Sequence, residues 1–132
     1  MVELEIRTHG PMSYFPLRRM IEERLAETGI ARGLVTIHAG GATPAIIVIG
    51  KDELRFIDEA LKNMIPVVGW VHGNAYAHLR STIASTVKTL VFGDGRLILP
   101  DDYEVYFLET RPVYNHRRKI HLYIRGVTRK EE

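Results

Sequence analysis

Val2-Glu3-Leu4-Glu5-Ile6-Arg7 alternates apolar and polar positions, the period of a strand with one buried face. His9-Gly10-Pro11 is a turn signal, and Ser13–Pro16 reads as a short second strand. Leu17, Met20, Ile21 and Leu25 then recur at helical spacing with Arg and Glu between them. Pro16 suits the first turn and Gly29 the C-terminal cap, so the pattern predicts a helix over Leu17–Thr28. Gly33–His38 reads as a buried strand, Gly40-Gly41 as a turn and Ala45–Ile49 as a second buried strand. The pair can form a hairpin. Asp52 can cap a helix in which Leu54, Ile57, Leu61 and Met64 share a face, ended by Pro66 and Gly69.

After the loop 69–73, Asn74 can cap a third helix with Ala75, Leu79 and Ile83 as its apolar stripe. Val87–Phe92 and Leu97–Leu99 flank Gly93-Asp94-Gly95-Arg96, a good hairpin turn. Val105–Leu108 and Ile120–Ile124 are two more strands, joined by the polar, basic stretch 111–118. This gives seven or eight strands and three helices. The last strands run consecutively instead of alternating with helices, which predicts an antiparallel α+β fold over a parallel βαβ one.

Composition narrows the picture further. A chain of 132 residues, 45% hydrophobic and 26% charged, fits one globular domain over residues 1–132, with residues 128–132 a frayed tail. It has no cysteine, hence no disulfide, which fits a reducing compartment. Pro44–Ile49 is the longest apolar run, far short of the ~20 residues of a membrane span. Glu3 and Glu5 stand where a signal peptide needs apolar residues, so the expected location is the cytoplasm. There is no glutamine and there are only three asparagines, a composition expected of a heat-adapted source.

Three segments could carry chemistry. In 70–78, two histidines and an amide fall within nine residues. If Asn74 starts a helix, Asn74 and His78 share one face, with His72 in the loop before them. Their imidazoles could bind a divalent metal such as zinc, or donate to an anion at the helix N-terminus. On residues alone, a capping asparagine with a locally bonded histidine is the simpler reading. His38–Thr43 is an anion-binding turn or a plain hairpin turn, the latter favoured. Tyr114-Asn115-His116-Arg117-Arg118-Lys119 could meet phosphate or nucleic acid, but the net charge of +2 argues against a broad nucleic-acid face. Asp101-Asp102 reads as an exposed turn.

Several segments together resemble the YjbQ-like family, also called the secondary thiamine-phosphate synthase family. Gly33-Leu34-Val35-Thr36-Ile37 is similar to its "GLVTV" strand, and Ala77-His78-Leu79-Arg80-Ser81 to its "AH[IL]K[AS]S" segment. Asp94-Gly95-Arg96-Leu97 resembles "DGRL", and Val105-Tyr106 with Glu109 resembles "IYxxE". Arg117-Arg118-Lys119 resembles the basic stretch before the last strand. The resemblance implies antiparallel, sandwich-like sheets with packed helices, a homotrimer, and a pocket for a metal or phosphate-like anion. It also implies weak joining of a pyrimidine diphosphate to a thiazole phosphate.

The chain departs from that pattern at several places. Gly41 stands where the resemblance places a histidine, and Gly50 where it places a glutamate. Pro100-Asp101-Asp102-Tyr103 replaces "GTWQ", and the loop before Asn74 is shortened to Gly73. His72, Asn74, His78 and Arg118 remain as ligand-binding candidates, with His78 and His72 the metal candidates. His38 could compensate for the missing histidine or face the core. The expectation is a divergent member that binds a small phosphate-bearing ligand with a degenerate or altered site. The alternatives are an active thiamine-phosphate synthase-like enzyme and a non-catalytic trimeric interaction protein. Nucleic-acid binding ranks last.

Overall fold

A computed structural model describes residues 1–67 and 74–131. The elements run β1 (Val2–Thr8), β2 (Ser13–Pro16), α1 (Arg18–Glu27), β3 (Ile30–Ala39) and β4 (Ala45–Gly50). After a short 3-10 turn, Lys51–Glu53, come α2 (Leu54–Met64), α3 (Ala75–Ala84) and β5 (Val87–Gly93). The chain then forms β6 (Arg96–Leu97), β7 (Tyr103–Glu109) and β8 (His116–Thr128). Every strand pairing is antiparallel, in a five-stranded sheet of order β1-β8-β3-β5-β6 and a three-stranded sheet of order β2-β7-β4. The fold is therefore the expected antiparallel α+β arrangement with three helices.

The two sheets face each other across the main core. Leu4 and Ile6 of β1, Val35 and Ile37 of β3, and Ile120 and Leu122 of β8 meet Val105 and Phe107 of β7 there. Leu17, Ile21 and Leu25 close this core from the side of α1. Strand β7 is buried on both faces, because Tyr106 and Leu108 point the other way into a second core with Ile47 and Leu61. Thus α2 lies over the outer side of the small sheet.

Four sequence expectations are corrected. First, β3 and β4 do not form a hairpin. Strand β3 is already paired on both edges, by β5 and β8, so the chain crosses at Gly40–Pro44 to the other sheet. Second, the apolar stripe of α3 is not its buried face. Leu79 and Ile83 are exposed, while Tyr76, Ala77, Arg80 and Ser81 are buried. Arg80 turns the helix this way: its Nε and Nη2 donate to Ile65 O at 3.0 and 2.6 Å, and the guanidinium lies 5.3 Å from the Tyr76 ring. That carbonyl belongs to the C-cap of α2, the negative end of its dipole, which suits a cation. Third, neither Asp52 nor Asn74 caps its helix through a side-chain bond. Fourth, the basic stretch is not all linker, since β8 begins at His116 and extends to Thr128. No helix among the described residues is long and apolar enough to cross a membrane.

One close approach fixes the pairing of β3 with β8. Gly33 and Gly126 face each other across the ladder. A Cβ at Gly33 would sit 2.1 Å from Arg125 O, and one at Gly126 2.1 Å from Arg32 O. Only glycine lets the two backbones come this near.

Candidate functional site

Along β8, Arg118, Ile120 and Leu122 are buried while Arg117 and Lys119 are exposed, the alternation a strand imposes. The outward pair answers glutamates on β1: Arg117 Nε lies 3.2 Å from Glu5 Oε1 and Lys119 Nζ 4.0 Å from Glu3 Oε2. The basic run is thus divided between two faces and partly neutralised.

Inside, Arg118 forms a two-pronged bond to Glu109 of β7, Nε to Oε1 at 2.8 Å and Nη2 to Oε2 at 2.7 Å. Glu109 has no exposed surface. Thr8 Oγ1 also donates to its Oε1 at 2.7 Å. Burial opposes ionisation of Glu109, but the bonds from Arg118 and Thr8, the Arg118 charge and the Arg111 amide outweigh it. The carboxyl is held below the usual carboxylate range. The pair clamps the large sheet to the small one.

This clamp also positions the crossing loop. Arg118 Nη2 donates to Thr43 Oγ1 at 3.2 Å, and Ser81 Oγ of α3 donates to Pro44 O at 2.6 Å. Thr110 Oγ1 bridges Thr43 O and, at 3.3 Å, Ala77 O. The loop therefore ties Arg118 to the helix that carries His78. At its apex Gly41 has φ +108°, and a Cβ there would lie 3.7 Å from Arg118 Nη1. Nη1 is the one nitrogen of that guanidinium not committed to Glu109 or Thr43. The amides of Gly41 and Ala42 find no backbone acceptor among the described residues.

His78 and Asn74 are both exposed, one turn apart on α3 as their spacing predicted. With Ala75 and Leu79 they line a depression of about 390 Å³. His78 also lines an adjoining depression of about 310 Å³ with Ala42, Ser81, Thr82, Ser85 and Thr86. The hydroxyls of Ser81, Thr82 and Ser85 donate to backbone carbonyls. Of the side chains lining that depression, His78 and Thr86 are not committed in this way. Asn74 and His78 share one depression and His78 and Ala42 the next, while Arg118 lies behind the loop, against Gly41.

A model of the UPF0047 protein YjbQ-like family matches residues 2–127. The chain belongs to the YjbQ-like family. It is 29% identical over 113 residues to the UPF0047 protein YugU of Bacillus subtilis strain 168, across 80% of this chain and 86% of YugU. A solved structure from Clostridium acetobutylicum, described as an uncharacterized conserved protein of that family, matches with a TM-score of 0.85 and 21% identity. It covers 95% of this chain and 100% of its own. A YbjQ-like protein of unknown function from Sulfolobus solfataricus gives a TM-score of 0.85 at 20% identity, over 95% of each chain. At such identities the structures speak for the fold alone.

In this YjbQ-like chain His72 lies outside the described residues. Among those described, no group of three or more His, Cys, Asp and Glu residues is placed to hold a metal, so His78 has no zinc shell around it there. His38 does not replace the absent histidine. Its neighbours Ile37 and Ala39 point into the core, so His38 points out, stacked 5.9 Å from His121 on the far face of the large sheet. The sequence singled out Thr43 only as part of the 38–43 turn and Glu109 only as part of the IYxxE resemblance, and Thr110 not at all; none was read as a partner of Arg118 or of the crossing loop.

Proposed function

We propose that this protein binds a small phosphate-bearing ligand on the rim formed by Gly41, Ala42, Asn74 and His78, with Arg118 supplying charge from behind. One observation carries the reading. Arg118 Nη1 is left uncommitted beside a glycine whose missing side chain leaves the approach open. A guanidinium nitrogen, two backbone amides and an imidazole are donors of the kind a phosphate accepts from. Glu109 is already ionised and bonded to Arg118 and Thr8, so it is badly placed to move protons. His78 is left as the rim's one described proton carrier, which favours binding over fast synthase chemistry.

Calorimetric titration with inorganic phosphate and with thiazole phosphate tests this. Saturable binding of thiazole phosphate, weakened about tenfold in His78→Ala, is expected. Because His78 is exposed, its loss leaves the fold intact. Absence of binding to the wild-type protein removes this reading. Turnover of thiazole phosphate with a pyrimidine diphosphate would show instead that synthase chemistry survives.

A further inference from the structure

Lys88 is a half-buried cation without a counter-ion among the described residues. It alternates along β5 with exposed Val87 and Thr89, so it points inward. Its Nζ donates to Ala84 O at 2.7 Å. No ion pair of the described residues includes it. Burial lowers its pKa, and no carboxylate acts in the other direction. An ammonium has three donors, and one is used.

Lys88 stands at an apolar cavity of about 300 Å³, walled by Ile47, Ile57, Leu61, Met64 and Ile83 among others. Met64 and Ile83 are 60% and 55% exposed, so the cavity opens to solvent between α2 and α3. It shares no lining residue with the depressions beside His78. Its volume is at the lower end of ligand pockets, which excludes a large occupant.

We propose that this cavity binds a small monocarboxylic acid with a short apolar tail, its carboxylate held by Lys88 and its tail laid against β4, α2 and α3. One ammonium with two unused donors matches one carboxylate. A phosphate would need more donors than these apolar walls offer. The tail displaces water from an apolar surface that opens between α2 and α3 among the described residues.

The competing role for Lys88 is to guard an edge. Strand β6 pairs with Phe92 and Gly93 of β5, and Ile98 N donates to Val91 O, so among the described residues 87–90 are left as a free edge, where an inward lysine discourages strand addition. Titrating octanoate into the isotope-labelled full chain, followed by amide chemical shifts, separates the two. Saturable shifts over 57–64 and 83–88 are expected, with affinity about tenfold lower for octan-1-ol and for Lys88→Met, and retained by Lys88→Arg. The alcohol comparison needs no variant, so it decides the matter even if Lys88→Met does not fold. Unsaturable shifts, equal affinity for acid and alcohol, or shifts centred on Asn74 and His78 overturn the proposal. Aggregation of Lys88→Met without octanoate binding to the wild-type protein assigns the lysine to edge protection and overturns it too.

Discussion

Replacing Arg118 with methionine strands a carboxylate that cannot reach water. Glu109 is fully buried and would keep the Thr8 hydroxyl at 2.7 Å and a long contact from the Arg111 amide at 3.5 Å. Removing one partner of a buried pair costs about 3–5 kcal/mol. Arg118→Met loses three charge-assisted bonds, two to Glu109 and one to Thr43, and regains some apolar contact, which places it in the middle of that range. Against a domain stability of about 5–15 kcal/mol this is a large fraction. At roughly 3 °C per kcal/mol for a chain of this size, Tm falls by about 10–15 °C. The double variant Glu109→Leu/Arg118→Met removes both charges and recovers most of the loss, because apolar residues replace buried ion pairs at little net cost.

The pH dependence gives the sharper check. In the wild-type protein the folded Glu109 pKa is depressed, so its contribution is fully present above the unfolded value of about 4. That contribution is lost as pH falls through the lower folded value. In Arg118→Met, burial acts without the guanidinium and pushes the carboxyl up, so the folded state takes a proton before the unfolded one does. The difference between the two proteins is therefore largest near neutrality and shrinks as the medium is acidified through about pH 4. Urea unfolding followed by circular dichroism at several pH values measures it. A pH-independent difference, or a double variant no more stable than Arg118→Met, would refute the assigned role of the pair.

Two further outcomes follow from the geometry. Gly33→Ala drives a Cβ against Arg125 O and costs about 1–3 kcal/mol or more, whereas Gly29→Ala, with φ +71° and open space around it, costs about 1 kcal/mol; denaturation midpoints compare them. Tyr14, half-buried and bonded to Asp58 at 2.9 Å, is held well above the ordinary phenol range, and burial raises Tyr106 as well. Alkaline absorbance should therefore show Tyr14 and Tyr106 ionising only above the ordinary phenol range, and stability should decline as pH rises past about 10, because the unfolded chain releases those protons more readily.

The sequence displayed the sheets better than the helix contacts. Strand β1 was legible because Leu4 and Ile6 alternate with Glu3 and Glu5, and register carries the alternation across to β8. Strand β8 was read only from Ile120 onward, since three consecutive bases look like a solvated end. Parity held the missing signal: Arg118 shares a face with Ile120 and Leu122, so one of the three bases had to be inside. Helix α3 misled for a different reason. Hydrophobic spacing pointed to Leu79 and Ile83, but the partners that turn the helix are backbone carbonyls, Ile65 O for Arg80 and Pro44 O for Ser81. No periodicity in side-chain polarity encodes where those carbonyls end up.

The candidate site divides along the same line. Asn74 and His78 were legible together because a spacing of four on a helix is local geometry. Their link to Arg118 was not, because it passes through a loop that leaves one sheet for the other. Had β3 and β4 been a hairpin, Gly41 would sit at a free turn, far from any charge. The crossing instead sets it against the Arg118 guanidinium, with Thr43 bonded to that arginine and Ala42 beside His78. The glycine that replaces a histidine in the family resemblance therefore does more than delete a proton carrier. In the proposed reading it also leaves space beside Arg118 Nη1, the nitrogen of that guanidinium not bonded to Glu109 or Thr43.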